Sequence, residues 1–191
     1  MTEDKKIILA SASPRRKELL KDISSSFEVR PADVDEGVRE DESPVGHTRR
    51  LAREKTGKVG EGLSGGIIIG ADTVVVIDGE ILGKPKDTDD ARRMLGRLSG
   101  KAHTVVTSFC ILNARTKETI AKTVESKVTM RRIHDAELEE YLETGEPLDK
   151  AGAYAVQGIG GKFIETVKGS YTNVVGLPVD EVKEALKKMG Q

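Results

Sequence analysis

The chain has 191 residues, with 31 Lys and Arg against 32 Asp and Glu and 3% aromatic residues without any Trp. The net charge of −1 excludes an overall basic field for nucleic acid, and the few aromatic residues argue against a stacking platform for single strands. Cys110 is the only cysteine, which rules out an intrachain disulfide and a cysteine-based metal cluster. The length predicts one compact domain over 1–191 that buries a real core.

The first six residues are polar, and no segment approaches the roughly 20 apolar residues that span a bilayer. We therefore expect a cytoplasmic protein with neither a membrane nor a nucleic acid as partner. The oligomeric state is left open, with a homodimer as one candidate.

The first motif joins an apolar run at 7–9 to the dipeptide Ser13-Pro14 and three cations at 15–17. This order predicts a strand, a tight turn and a helix that Ser13 caps and Pro14 begins. Free backbone N–H groups at a helix start, beside Arg and Lys, favour a multiply charged anion. A capped surface helix with a solvated basic turn is the alternative.

Short apolar runs then alternate with amphipathic stretches, which predicts an α/β fold. Strands are expected at 67–69, 74–77, 80–82, 103–112 and 119–130, and helices are expected from Ser43-Pro44, Thr88, Asp135 and Val179 onward. The glycines between 57 and 66 predict a flexible loop, and Asp78-Gly79 predicts a hairpin turn.

Two segments place charged groups beside apolar strands. GADT at 70–73 breaks an apolar strand and leaves Asp72 at a strand end, which is costly unless the carboxylate is paired, binds a cation or acts as a base. An aspartate that satisfies backbone N–H groups in a turn is the alternative. Lys84 follows the hairpin at a constrained turn, where it either reaches phosphate as a point charge or is an ordinary surface lysine.

Asp33, Asp35 and Glu36 form an acidic patch whose oxygen donors suit Mg²⁺ or Mn²⁺, although a solvated acidic loop explains the same spacing. Further on, Gln157 is the polar amide of an otherwise apolar predicted strand, and it has the donor and acceptor needed to read a base edge. A satisfied strand-end amide is the alternative there. Residues 169–173 are predicted to form a polar loop that closes over the site.

Five motifs in register resemble the Maf family of nucleotide pyrophosphatases, once named for septum-formation inhibition. They are LASASPRR at 9–16, GADT at 70–73, LGKP at 82–85, DKAGAYAVQG at 149–158 and SYTNVVGLP at 170–178. The resemblance implies an α/β fold related to the inosine triphosphate pyrophosphatases, with a mixed twisted sheet, flanking helices and two lobes around a cleft. It also implies metal-dependent hydrolysis of a nucleoside triphosphate to the monophosphate and pyrophosphate, with Mg²⁺, Mn²⁺ or Co²⁺ as the divalent cation.

The resemblance also implies a set of site residues. Carried over by motif, they are Asp72 and Lys84 for catalysis, Arg15, Thr73 and Gln157 for substrate choice, Ser13, Arg16, Lys55 and Lys84 for the phosphates, and Glu36 with Asp72 for the metal. The motif with Gln157 is similar to that of the branch acting on dTTP and UTP, whereas the branch acting on 7-methyl-GTP has Glu in its place. The alternative function is a nucleotide-binding regulator of cell division that binds without turnover.

Overall fold

The computed structural model describes residues 6–190 and confirms the α/β class. Seven strands form one mixed sheet, in which β1 pairs in parallel with β2 and β3, while β4 and β7 add antiparallel pairs. The strands are β1 Ile7–Leu9, β2 Glu28–Val29, β3 Ile67–Ile77, β4 Glu80–Leu82, β5 Ala102–Asn113, β6 Thr119–Met130 and β7 Ile164–Lys168. Their order in the sheet is β2-β1-β3-β5-β6-β7, with β4 beside β3.

Six α-helices and three short 3₁₀ helices are found in the described residues. The α-helices are α1 Pro14–Lys21, α2 Pro44–Gly60, α3 Thr88–Leu98, α4 Asp135–Glu143, α5 Tyr171–Val175 and α6 Val179–Lys188. The 3₁₀ helices are Glu146–Asp149, Ala151–Ala153 and Ile159–Phe163. None of the helices within residues 6–190 is long and apolar enough to cross a membrane.

The chain divides into two compact units, which are described separately. Among the described residues, unit 1 takes 6–72, 107–124 and 176–190. Its core includes Ile8 and Ile68 from adjacent parallel strands, and the helix α2 packs its buried Leu51 and Ala52 inward. The serine–proline dipeptides predicted to begin α1 and α2 do so, since each serine hydroxyl accepts a backbone N–H from the first turn.

Unit 2 takes residues 73–106 and 125–175. Its core collects apolar side chains of the second half of β3, of α3, and of the segments around Tyr141 and Phe163. All four residues predicted to face inward from α3 are buried: Ala91, Met94, Leu95 and Leu98. Asp78 and Gly79 both have positive φ, at 52° and 81°, which is the conformation of a two-residue hairpin turn.

Three predictions about elements are wrong in detail. The strand β3 runs unbroken through Gly70 and Asp72, so the predicted break at 70–73 is absent. The helix α2 continues to Gly60, so the first part of the predicted loop at 57–66 is helical. The sequence also favours Thr88 as the cap of α3, whereas Asp87 caps it by accepting the Asp90 N–H at 2.8 Å. Packing of α2 on β3 outweighs the weak local preference of the glycines, and aspartate is a better cap than threonine.

Candidate active site

The start of α1 carries the first group of predicted site residues. Ser13 caps the helix through a 3.4 Å hydrogen bond from the Arg16 N–H to its hydroxyl. The Arg16 side chain turns away from the helix and donates from Nε to the Gly176 carbonyl at 2.8 Å and from Nη1 to the Ser11 hydroxyl at 3.3 Å. These contacts hold the guanidinium in one orientation. Ser11, which sequence reasoning did not single out, also accepts the Ser13 N–H at 3.2 Å.

The electrostatic surroundings of Arg16 suit an anionic ligand. Burial and the neighbouring Arg15 cation lower the pKa of Arg16 below its usual value, and the negative charges of Asp72 and Glu36 oppose this only in part. The guanidinium is thus poorly solvated and lies in the field of another cation. Such a group gains more from a phosphate than one that water already solvates.

Lys55 is the centre of the charged group in unit 1. It is 6% exposed, and its ammonium lies 2.8 Å from Asp72 Oδ1 and 2.6 Å from Glu36 Oε1. Asp72 is also buried, whereas Glu36 is exposed. The structure therefore brings three of the predicted site residues into direct contact. A buried cation held between two carboxylates fixes the orientation of both.

Close packing of α2 on β3 produces this arrangement. A Cβ atom at Gly70 would lie 2.8 Å from the Ala52 carbonyl oxygen and closer still to Thr56 Oγ1, so only glycine lets the helix approach the strand here. Lys55 is the residue before Thr56, and Asp72 lies two positions after Gly70 on the same face of the strand. Asp72 is therefore a mid-strand residue and not the strand-end residue that the sequence predicted, and Lys55 compensates its charge.

The loop that carries Glu36 is held by one arginine of α2, a residue that the sequence analysis did not single out. Arg50 of α2 donates to the backbone carbonyls on either side of Glu36, to Gly37 O at 2.8 Å and to Asp35 O at 3.5 Å. The same guanidinium holds both oxygens of Glu42, at 2.7 and 2.9 Å. These bonds need several N–H donors in one plane. The guanidinium provides them and an ammonium does not, so a lysine would not replace Arg50.

The remaining predicted residues belong to unit 2. Thr73 follows Asp72 along β3 and points to the opposite face of the strand, and Lys84 is exposed after β4. Gln157 is exposed in a turn between two 3₁₀ helices, so the strand predicted for this segment is wrong. The Gly152 N–H donates to the Gly83 carbonyl at 3.0 Å, which joins the segment before Gln157 to the residue before Lys84.

The segment at 169–173 is not the polar loop that the sequence predicted. Its second part forms the helix α5, and Asn173 is completely buried. The Asn173 amide nitrogen donates to the Val105 carbonyl at 3.1 Å and to the Ser126 hydroxyl at 2.9 Å, while that hydroxyl donates to the Ser170 carbonyl at 2.9 Å. Burial of an amide is tolerated because these bonds replace its hydration.

The carboxylates of unit 1 suit a divalent cation that the substrate helps to bind. Residues 6–190 contain no group of three or more His, Cys, Asp or Glu side chains that would hold a metal without help. Asp72 and Glu36 nevertheless lie close together, because both contact the Lys55 ammonium, at 2.8 and 2.6 Å, and this ammonium occupies the point where their oxygens meet. Mg²⁺ is commonly bound by one or two carboxylates together with substrate phosphates.

The structure resembles two solved proteins over nearly its full length. The Ham1 protein of Staphylococcus aureus superposes with a TM-score of 0.59 at 15% identity, covering 97% of this chain and 100% of that one. A HAM1 protein from Coxiella burnetii gives a TM-score of 0.57 at 13% identity, covering 96% and 99% of the two chains. At this identity the likeness defines the fold, which is the one shared with Ham1 proteins.

The sequence comparison is more specific than the fold. The family model described as Maf-like protein matches residues 6–189, and the chain belongs to this family. A dTTP/UTP pyrophosphatase of Geotalea uraniireducens is 50% identical over 184 residues, which cover 96% of this chain and 95% of the relative. A dTTP/UTP pyrophosphatase of Citrifermentans bemidjiense is 48% identical with the same coverage.

Proposed function

We propose that this protein is a nucleoside triphosphate pyrophosphatase that hydrolyses dTTP and UTP to the monophosphate and pyrophosphate. The buried contact of the Asp72 carboxylate with the Lys55 ammonium, which also binds Glu36, is the observation that carries the proposal, because it holds a carboxylate in a fixed position. Relatives named dTTP/UTP pyrophosphatase, at 48% to 50% identity over nearly the whole chain, support the substrate. We place the activity in the cytoplasm.

The reaction breaks the bond between the α-phosphorus and the oxygen that bridges it to the β-phosphorus. Asp72 accepts a proton from the attacking water, whose oxygen forms the new bond to the α-phosphorus. Lys55 keeps the Asp72 carboxylate in one orientation through its 2.8 Å contact. The electron pair of the broken bond leaves on pyrophosphate, so negative charge increases on the β-phosphate during the step.

Several cations are proposed to bind the phosphates. Arg16, which Ser11 and Gly176 hold in place, is proposed to bind one phosphate, together with Arg15 and the helix start that Ser13 caps. Lys84 is exposed and is proposed to supply a point charge for the leaving pyrophosphate. A divalent cation held by Asp72 and Glu36 would neutralise part of the triphosphate charge when it is bound.

Gln157 is proposed to select the base. Its side-chain amide offers a donor and an acceptor, which pair with the O4 and N3–H edge of uracil or thymine. Cytosine presents the opposite pattern at these two positions. The extra methyl group of thymine is discriminated only weakly by a pocket, so both dTTP and UTP are substrates.

Pyrophosphate release tests the function. We would assay dTTP, UTP, dCTP, CTP and dGTP with Mg²⁺, Mn²⁺ or Co²⁺, using the wild type, Asp72→Asn and the control Asp180→Asn, whose carboxylate is exposed in unit 1. Wild type and Asp180→Asn should turn over dTTP and UTP, while Asp72→Asn should be slower by roughly 10²- to 10⁴-fold with its fold retained. An Asp72→Asn protein of wild-type rate would contradict the role of Asp72.

The other outcomes are equally informative. Turnover of a purine nucleotide in preference to dTTP would keep the enzyme and overturn the assignment of Gln157. Tight nucleotide binding by the wild type without release of any pyrophosphate would indicate the regulator and overturn the enzyme.

A further inference from the structure

The turn that carries Gln157 is held from one side by a single carboxylate. Glu146 precedes the turn by eleven positions, and its oxygens accept the backbone N–H groups of Ile159 at 2.8 Å and Gly160 at 3.0 Å. These two groups lie two and three positions after Gln157 along the chain. The Gly158 N–H donates to the Ala155 carbonyl at 3.1 Å, which closes the turn around Gln157 itself.

A buried phenol extends this support to the residues before Gln157. The Tyr141 hydroxyl donates to Glu146 Oε1 at 2.9 Å and accepts a hydrogen bond from the Ala155 backbone. The Tyr141 ring is fully buried and packs edge-on against Phe163, with 5.3 Å between the ring centroids. Glu146 and Tyr141 together therefore fix the backbone on both sides of Gln157.

The glycines of the turn lie in close contact with Glu146 and Tyr141. A Cβ atom at Gly158 would lie 2.6 Å from Glu146 Cδ, and one at Gly160 would lie 2.5 Å from the Tyr141 hydroxyl oxygen. A side chain at Gly158 would push the Glu146 carboxylate away, and one at Gly160 would meet the buried Tyr141 phenol. The contact is thus a close fit and not an incidental surface hydrogen bond.

We infer that Glu146 is a positioning residue that sets the base preference of the enzyme by holding the Gln157 turn in one conformation. Gln157 is exposed, so the position of its side-chain amide depends on the backbone of the turn. Recognition of the base therefore requires that this backbone be rigid. The inference rests on the proposed function, because it assumes that Gln157 meets the base. Glu146 itself is assigned no contact with the substrate.

The negative charge of Glu146 is needed for this task. Three donors point at the carboxylate, from Ile159, Gly160 and Tyr141, and an ionised carboxylate has acceptors alone. A glutamine would turn its NH₂ group toward one of these donors and lose at least one bond. Partial burial raises the pKa of Glu146, but the N–H groups of Gly160 and Ile159 outweigh this and hold it below its usual value.

The test compares Glu146→Gln with a matched control at the end of the preceding helix, Glu143→Gln, whose side chain is exposed. For each variant, kcat and KM are measured with dTTP and with dCTP, and folding is checked by circular dichroism and thermal unfolding. Glu146→Gln should lower the dTTP-over-dCTP ratio of kcat/KM by about tenfold, mainly through KM for dTTP, since a loosened turn loses base contacts. Glu143→Gln should leave the ratio unchanged.

Tyr141→Phe is the second variant, and it serves if Glu146→Gln fails to fold. It removes one donor to the carboxylate and leaves both backbone donors in place, so its effect on the ratio should be smaller but in the same direction. In both variants the Ile159 and Gly160 amides should exchange hydrogen faster than in the wild type.

Gln157→Glu is assayed in parallel to separate this inference from the proposed function. One outcome would overturn the positioning role and leave the function standing. In it, Gln157→Glu loses the preference for dTTP over dCTP, while folded Glu146→Gln and Tyr141→Phe keep this preference. A wild type without turnover of dTTP would overturn both. An equal loss of kcat for all nucleotides in Glu146→Gln, without a change of ratio, would also overturn the positioning role.

Discussion

Lys55 has an unusual position for a lysine, with its ammonium buried between two carboxylates. Removal of one member of a buried ion pair leaves the other charge without compensation, which costs more than the pair contributes. We expect Lys55→Met to lower the free energy of unfolding by about 3 kcal/mol. Urea unfolding measures this, with the exposed Lys58→Met on the same helix as a control that stays near wild type.

The double variant tests the physical cause of that loss. When Asp72→Asn is added to Lys55→Met, the uncompensated carboxylate is gone, so part of the lost stability should return. If the two losses simply add, the contact at 2.8 Å contributes nothing and the explanation is wrong.

His103 is the second residue whose charge is decided by burial. Its Nε2 meets the Tyr154 hydroxyl at 2.7 Å, and its Nδ1 has no hydrogen-bond partner within residues 6–190. Burial lowers the pKa of His103 from 6.5 to about 4. The unfolded chain therefore takes up a proton between these values while the folded chain does not, and stability falls as the pH drops through this range.

The expected loss is about 3 kcal/mol, and most of it occurs between pH 6.5 and pH 4. Unfolding free energies of the wild type and His103→Gln at a series of pH values isolate this contribution as the change in their difference. The wild type should lose about 3 kcal/mol relative to His103→Gln as the pH falls through this range. Curves that stay parallel would show that His103 titrates normally in the folded protein.

At the scale of the elements, the contact between α2 and β3 at Gly70 decides where Lys55 and Asp72 meet. A Cβ atom added at Gly70 would overlap backbone and hydroxyl atoms of the helix, so one of the two elements must shift. We expect Gly70→Ala to cost about 2–4 kcal/mol and to lower activity as well, because the ion pair moves with the helix.

Gly57→Ala on the same helix is the control for that prediction. A Cβ atom there would meet nothing within 4 Å in the described part of the chain, and alanine is the better helix former. It should therefore stabilise the protein by about 0.5–1 kcal/mol. Destabilisation by Gly57→Ala as large as by Gly70→Ala would mean that the packing at Gly70 is not special.

The elements show how far the sequence alone could go. Apolar periodicity and caps predicted α3, α4, α6 and the long strands, since these signals are local. The sequence did not predict that β3 is continuous. Gly70 and Asp72 are unusual in a buried strand, and they fit there because of their contacts with α2, which is distant in sequence. The segment around Gln157 was misread as a strand because its small apolar residues resemble one, whereas Gly152 and Ala153 have positive φ.

The residues of the candidate site also fall into those that the sequence predicts and those that it does not. Residues in recognisable motifs, such as Ser13, Asp72 and Lys84, were predicted from the sequence, and their functional roles remain predictions. Arg50 and Glu146 were not predicted to support the site, because each acts through backbone groups of a loop. Backbone hydrogen bonds leave no residue-type signal at the accepting or donating position, so a single sequence cannot reveal them.

At the scale of the whole molecule, a bound nucleotide should stabilise the folded chain. A dTTP analogue with a methylene bridge between the α- and β-phosphates, present with Mg²⁺ at 100 times its Kd, should add about 2.7 kcal/mol. For a chain of this length that corresponds to a rise in Tm of roughly 5–10 °C. The matching dCTP analogue at the same concentration should give a smaller rise, and equal rises would contradict base reading.

Arg16→Gln separates the phosphate contribution from the base contribution. Its Tm rise should shrink for both analogues alike, because the guanidinium meets an anion and not the base. A selective loss with the dTTP analogue would instead place Arg16 near the base.

The burial of Asn173 has a consequence for the movement of α5. Two hydrogen bonds from its amide nitrogen, to Val105 and Ser126, and one from Ser126 to Ser170 anchor the helix. At about 1 kcal/mol each, these bonds and the buried amide must be given up before this segment can swing outward. Opening of α5 would therefore be a local unfolding event and not the free movement of a polar loop.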